Sequence, residues 1–569
     1  MRLHHLLAGL ASLPLASSGA QASVVRVPEE PAPLASEPAP DAPAIHWDRR
    51  AVQHVWNRAG FGIRSEDVDA WVEAGPEALV RHLTAPRPTA GEGARAPYRY
   101  QPLRYTAEEY ARATGDARKE LRRERSRWLR DQFNAFRAHW IQGMVDGHDP
   151  LRDRMTLMWH GVFTSSLDTV KQTSMMIDQH DVIREHALGS YAALLHAMLQ
   201  DPALLTYLDN DANRKGKPNE NLAREVMELF ALGEGNYTEA DIREAARSLT
   251  GAGVKKEHDL AAYRFNPKRH DDGDKTILGV TGPHGPEELA EILLDQPECA
   301  RFVARTILEY LEGVEASEAR VAEYAGCLQE TGFDVGYLVE RLLLDPRFYR
   351  DEVIGARVTS PIDYLVGTTI RLEADLPAAF VAEAAADLGQ DLFRPPNVKG
   401  WDEGLAWIST STFMMRGNVA GAMVGVVDIE TLRADVTDMM ETVGEMDVME
   451  PMTGKERRKM ERQKANRYEV AGLTSILKRA DYEPSSMAAR VVRDARAGTD
   501  AEVVALLADR LLAIEPPAET LQMLQLQLRE IREKYEVGEE DLPRFRRKNQ
   551  RVFNELCHLV LSLPEAQLH

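Results

Sequence analysis

From Ile45-His46-Trp47 onward, apolar residues recur three and four positions apart along most of the chain. A chain with that period buries its apolar surface most readily as helices, because positions i, i+3, i+4 and i+7 fall on one helical face. The stretches from Ala187 to Leu199 and from Leu289 to Leu311 are expected to be amphipathic helices of this kind. Three helix starts are written as Asp-Pro, at Asp149-Pro150, Asp201-Pro202 and Asp345-Pro346. Asp accepts hydrogen bonds from the free amides of a first turn, and Pro suits a first position whose N–H has no partner. Residues 251–283 break the pattern with frequent Gly, Pro and Asp, and Lys275-Thr276-Ile277-Leu278-Gly279 reads as a short strand or hairpin arm. The expected fold is all-α, a multi-helical domain with a small irregular or β-hairpin insert near 251–283 and a C-terminal helical appendage.

The composition shifts along the chain divide it further. Residues 1–22 carry Arg2, an apolar stretch from Leu6 to Leu15 and Ala20-Gln21-Ala22, the arrangement of a cleavable secretory signal peptide. The apolar stretch is too short for a bilayer core of ~30 Å. Residues 23–45 are rich in Pro, Ala, Glu and Ser and read as a disordered tether. A helical core domain is expected over 46–430, a charged, methionine-rich insertion over 431–482 and a C-terminal helical region over 483–569. The mature chain is expected to be soluble, without an integral membrane segment, in the periplasm or outside the cell. A formal charge of -21 repels phosphate backbones and anionic lipid surfaces, so nucleic acid is not an expected partner. Three cysteines, Cys299, Cys327 and Cys557, are too few and odd in number for a disulfide framework. Cys299 and Cys557 sit at helical spacing among apolar residues and read as small core side chains.

Candidate chemistry lies first in the segment Asn219 to Phe230, where Leu222, Val226, Leu229 and Phe230 share one helical face. The opposite side carries Asn221, Arg224, Glu225 and Glu228. Two carboxylates three residues apart can bind a cation or act as an acid and base pair. The simpler reading is an ion pair between Arg224 and Glu228 on a solvated face. Thr238 and Asp241 approximate a capping box ahead of Ile242, Ala245 and Ala246. The loop around His270-Asp271, with Asp272, Gly273, Asp274 and Lys275, offers either a cation or water site or an ordinary Asp-Gly turn. His160, beside Trp159 in an apolar stretch, reads as a core histidine or a ligand. The run from Asn397 to Ser411, with Trp401 and Trp407 around Lys399-Gly400, is either an aromatic wall for sugar or peptide or plain packing. The chain has no GxGxxG after a strand, GxxxxGK[ST], GxSxG or HExxH motif, which removes support for nucleotide binding and the commonest hydrolase designs.

These segments resemble the bacterial domain of unknown function 1800 family, whose members are mostly exported. The matching pieces are Trp56-Asn57-Arg58-Ala59-Gly60-Phe61-Gly62, Leu151-Arg152-Asp153-Arg154-Met155 leading to Trp159-His160, Leu208-Asp209, Asn219 to Gly233 and Tyr237-Thr238-Glu239. They continue through His270-Asp271, Gly273, Lys275, Leu278-Gly279, Ser360-Pro361, Pro395 to Trp401, Trp407 to Ser411 and Arg416-Gly417-Asn418. Gly161-Val162 stand where the family usually has an asparagine and a second histidine, so a histidine pair of metal ligands is incomplete here. The resemblance implies a partner, an exported sulfatase-like protein of the domain of unknown function 1501 family, usually encoded nearby. Together these readings give an accessory or binding protein acting with that secreted enzyme on envelope or extracellular polymer. The alternative is a metal-assisted hydrolase using a divalent cation, with Glu225, Glu228, His270 and Asp271 as catalytic residues in one pocket. Asn57, Arg58, His160, Asn221, Arg224 and Lys275 are the expected ligand-binding residues.

Overall fold

The long helix Gly115–Asp146 shows how patterning sets the architecture: its first half is charged and exposed, and burial begins at Gln132 with Phe133, Phe136, Trp140, Ile141 and Met144 following at helical spacing. The computed structural model of the protein describes residues 45–569 apart from 86–97, 102, 258–259, 428–471 and 545–546. The expected signal peptide, all but the last residue of the tether and most of the 431–482 insertion lie outside the described residues. Among the described residues there are 24 α-helices and two small two-stranded antiparallel sheets, so the fold is all-α with hairpin inserts.

Both hairpins fall within 251–283. Strand β1 (Ala252–Glu257) pairs with β2 (Leu260–Phe265), and β3 (Lys275–Ile277) pairs with β4 (Val280–Gly282). The second turn places Leu278 and Gly279 at φ 49° and 83°. Two central residues with positive φ match the right-handed twist of the flanking strands.

Several expected elements are split for identifiable reasons. The stretch Ala187 to Leu199 yields only Tyr191–Met198 as helix, because the Gly189 and Tyr191 backbones are engaged crosswise, with Val335 N–H on Gly189 O (3.0 Å) and Tyr191 N–H on Phe333 O (2.9 Å). Leu289 to Leu311 becomes two helices, Pro286–Leu294 and Pro297–Glu312, since Pro297 cannot continue a preceding helix. Of the three Asp-Pro starts, Asp201 caps Leu204 N–H at 2.7 Å. Asp345 opens a single 3-10 turn, Pro346–Tyr349. Asp149 instead takes the Arg152 side chain at 2.9 Å.

Ile45–His569 forms one compact unit with two apolar cores. One gathers the long helix, the helices Pro361–Arg371 and Ala378–Asp387 and the C-terminal helices Met487–Ala495, Asp500–Leu511, Ala518–Tyr535 and Arg547–Leu561. The other is built from residues 52–353 around Trp159, Tyr191, Phe230 and Tyr324. The helix Pro150–Val162 separates them, since Leu157 belongs to the first core and its neighbour Met158 to the second. Near this seam the C-terminal segment returns to the middle of the chain: Thr359 N–H reaches Gln567 O (2.8 Å) and His569 N–H reaches Arg357 O (3.0 Å).

Candidate functional site

A cleft of about 350 Å³ opens on this seam. Leu157, Met158 and Gly161 come from the end of the helix Pro150–Val162, Thr306, Glu309 and Tyr310 from Pro297–Glu312, and Arg357 and Ser360 from the segment that pairs with the C-terminal residues. Leu229 adds a further contact, and the rest of the wall is Gln390 and the loop after it, with Val398, Lys399, Trp401 and Trp407. Asn397 holds the tip of that loop, its side-chain oxygen accepting the Lys399 N–H at 2.8 Å. Gly400 has φ +88°, and a Cβ there would lie 2.7 Å from the Gly161 carbonyl oxygen. Only glycine therefore lets the loop rest on the helix end. Trp407 is buried, and half-buried Trp401 donates its indole N–H to Asp391 O at 3.3 Å. The aromatic pair packs against the fold and lines the cleft at once.

Beneath the cleft lies a cluster of buried guanidinium groups. Arg154 donates to Asp363 at 2.5 Å and to Gly60 O at 2.9 Å, and its head stacks over Phe61. Arg357 stacks over Tyr310, 4.3 Å from the ring centre, with Asp363 at 3.6 Å. Arg58, fully buried, donates to Val353 O at 2.8 Å. Gly313, at φ +72°, admits both neighbours, since a Cβ there would lie 2.6 Å from Arg357 Cβ and 2.7 Å from Arg58 Nη1. Burial alone would raise the Asp363 carboxyl, but Arg154 and Arg357 outweigh it and hold the group well below the usual carboxylate range. Burial, then Arg357 and Arg154, push the Arg58 guanidinium well below its ordinary value.

The residues singled out in the sequence are distributed over several places. Asn57 accepts from Arg371 at 2.8 Å, and Arg58 joins the cluster under the cleft. His160 is buried, its Nε2 3.1 Å from His180 Nδ1 amid Trp140 and Phe393, and burial lowers it to about 3. Asn221 donates to Leu208 O at 3.2 Å. Arg224 pairs not with Glu228 but with Glu239, through two bonds of 2.8 and 2.9 Å, and more distantly with Glu220. Glu228 accepts from the Tyr237 hydroxyl at 2.8 Å. Glu225 is half-buried, and burial and Glu228 raise its carboxyl while Arg224 and Lys399 oppose the shift. The segment carrying these carboxylates is the short helix Asn221–Glu225 followed by a π-helical turn, Val226–Ala231, whose Leu229 reaches the cleft.

The His270 loop is held by its own contacts. Asp271 takes Arg247 through two bonds of 2.9 and 3.2 Å, and that hydrogen bonding lowers its carboxyl to about 2. His270 Nδ1 lies 2.8 Å from Thr250 O, and buried Lys275 donates to Asp271 O at 2.5 Å and Gly273 O at 3.0 Å. The helix Glu239–Ser248 separates the two groups, because Arg224 binds its first residue and Asp271 binds Arg247 near its end. That interval is roughly 12 Å along the axis. Glu225, Glu228, His270 and Asp271 are therefore not brought together, and the pocket expected from them does not form. Among the described residues no three His, Cys, Asp or Glu side chains group as metal ligands.

Arg357, Tyr310, Glu309 and Gln390 carry no local motif and were not legible as site residues. Ser360 stood in a matched Ser-Pro pair whose role showed only when it reached the cleft wall.

The fold and site thus define a mostly helical protein with a tryptophan-lined cleft of mixed polar and apolar walls on the seam of two cores, beside a buried arginine cluster. The chain belongs to the DUF1800 family of proteins of unknown function, whose family model matches residues 54–568. No curated protein and no solved structure matches the chain significantly. No helix among the described residues is long and apolar enough to cross a membrane.

Proposed function

We propose that this is an exported accessory protein that binds a segment of envelope or extracellular polymer in the cleft and works alongside an exported, sulfatase-like partner enzyme. The observation that carries the binding reading is the convergence of Trp401, Trp407 and Tyr310 with Lys399, Gln390 and Ser360 in one open cleft. Aromatic faces with a few fixed polar groups suit a sugar ring, which offers an apolar face and a hydroxyl rim. Export is supported by Arg2, the apolar stretch to Leu15 and Ala20-Gln21-Ala22. The partner rests on the family resemblance alone.

A second reading, a hydrolase using Glu225 and Glu228, is favoured by the raised Glu225 carboxyl and by Lys399 of the cleft wall acting on it. A carboxyl whose acid form is favoured by its surroundings can serve as a general acid.

Co-sedimentation with insoluble extracellular polysaccharide from the host separates the two. The wild-type chain is expected to be retained without releasing soluble sugar, and Trp401→Ala, checked for folding by circular dichroism, to lose retention. Absence of retention would contradict the binding reading, and sugar release abolished by Glu225→Gln would favour the hydrolase.

A further inference from the structure

The groups beneath the cleft are unevenly charged. Arg58, Arg154 and Arg357 act on one another, and Asp363 is the carboxylate that ion-pairs within their cluster. Glu312, the next carboxylate felt by Arg58, is taken by Arg320 at 2.5 Å. Arginine keeps its charge in proteins, so the three guanidinium groups outnumber the one side-chain carboxylate that ion-pairs with them. Such an excess destabilises the fold unless something compensates it.

The hydrogen-bonding is equally incomplete. Arg357 is fixed by two backbone bonds to His569 and by its stack on Tyr310, and its side chain is 14% exposed. Among the described residues its guanidinium donates no hydrogen bond, and Nη1 is buried without a partner. Nε and Nη1 of Arg58, directly behind, are in the same condition. Arg357 lines the cleft, so part of its guanidinium stands in the wall a ligand would meet, while the unpartnered Nη1 and the Arg58 nitrogens are buried away from it. Lys399, exposed and lining the same cleft, adds a second cation and also acts on Glu225.

We propose that the cleft recognises an oxyanion substituent (sulfate, phosphate or carboxylate) through the Arg357 guanidinium, with Arg58 reinforcing the field and Lys399 closing over it. Arginine presents its N–H groups in a fixed fork that matches such anions. The cleft lining also carries Glu309, which pairs with Arg305 and accepts the Ala316 N–H, and Asp402 and Glu403, both exposed. These carboxylates repel a densely charged polyanion, so the substituent belongs to a largely neutral chain with isolated anionic groups. This assignment rests on the polymer-binding reading above and names the chemical class the same cleft takes.

Thermal unfolding of the mature chain with low-millimolar inorganic sulfate, inorganic phosphate or acetate, each against sodium chloride at matched ionic strength, tests it. At least one of the three is expected to raise the wild-type melting temperature saturably, and the most effective identifies the anion. Arg357→Gln should weaken the apparent affinity roughly tenfold or more, as for loss of a charged hydrogen bond. Lys399→Gln, on an exposed loop and without consequence for folding, should weaken it roughly two- to fivefold. Equal responses in all three proteins, or no response in the wild type, would overturn the anion site. If Arg357→Gln also keeps full retention on polysaccharide while Trp401→Ala loses it, the anion assignment fails and the cleft reading stands. If Trp401→Ala is retained as well as the wild type, the cleft reading itself fails.

Discussion

Arg154 and Asp363 form a pair with essentially no exposure, tied to the end of the helix Arg49–Ala59 through Asn57 and its C-cap Gly60. Asp363→Asn would leave Arg154 and Arg357 without their carboxylate, and removal of one partner from a buried pair typically costs about 3–5 kcal/mol. Urea denaturation should show a loss of that size, whereas a loss below about 1 kcal/mol would mean that the arginines are compensated elsewhere. Asp201 behaves in the opposite sense. It is buried while capping Leu204 and accepting from Gln179 at 2.7 Å, and burial raises its carboxyl from 3.8 to about 7. Its folded pKa lies above the unfolded one, so the stabilisation it gives is full below about pH 4 and is lost as the pH rises through about 7. Asp201→Asn keeps the oxygen that caps Leu204 and removes the titration. Its stability relative to the wild type should therefore improve between pH 5 and pH 8, and parallel curves for the two proteins would contradict the assignment. Neither arginine was legible as a core residue, because buried charge breaks the apolar pattern from which burial is read. Arg58 and Arg154 lie beside apolar neighbours in their helices, yet both are completely buried.

At the scale of elements, local chemistry was legible wherever it was satisfied locally. The capping box of Thr238 and Asp241 is formed, with both reciprocal bonds present, and Lys275 opens a hairpin strand. What could not be read was long-range. The break at Gly189 needs residues 333–335, far along the chain, and the cleft wall needs five separate stretches. The His270 loop looked chemical because carboxylates, an imidazole and a lysine lay close in sequence, but Asp271 is taken by Arg247, His270 by Thr250, Asp272 by Lys215 and Lys275 by the loop's own carbonyls. Gly400 tests the reading of the cleft loop. Gly400→Ala adds a Cβ against the Gly161 carbonyl at a positive φ and should cost about 1–3 kcal/mol, or lift the loop off the helix. Either result should reduce polysaccharide retention in the co-sedimentation assay. Full stability with full retention would show that the loop does not depend on that contact.

For the molecule as a whole, the helical period fixed the fold class, and circular dichroism should show helix far above the ~30–35% average of globular proteins. A sheet-dominated spectrum would contradict the architecture. The division into two cores was not legible, because the helix Pro150–Val162 serves both and reads locally as one apolar stretch. Export makes its own prediction: mass spectrometry of protein recovered from the host envelope or medium should find Ser23 as the first residue, and an intact Met1 there would contradict it. The central claim, that the seam cleft is where a polymer binds, is tested most directly by hydrogen–deuterium exchange of the mature chain with and without retained host polysaccharide. Protection should concentrate on residues 397–407, on the helix Pro297–Glu312 near Tyr310 and on residues 357–360. Protection centred on the His270 loop or the C-terminal helices, with the cleft segments unchanged, would contradict the account.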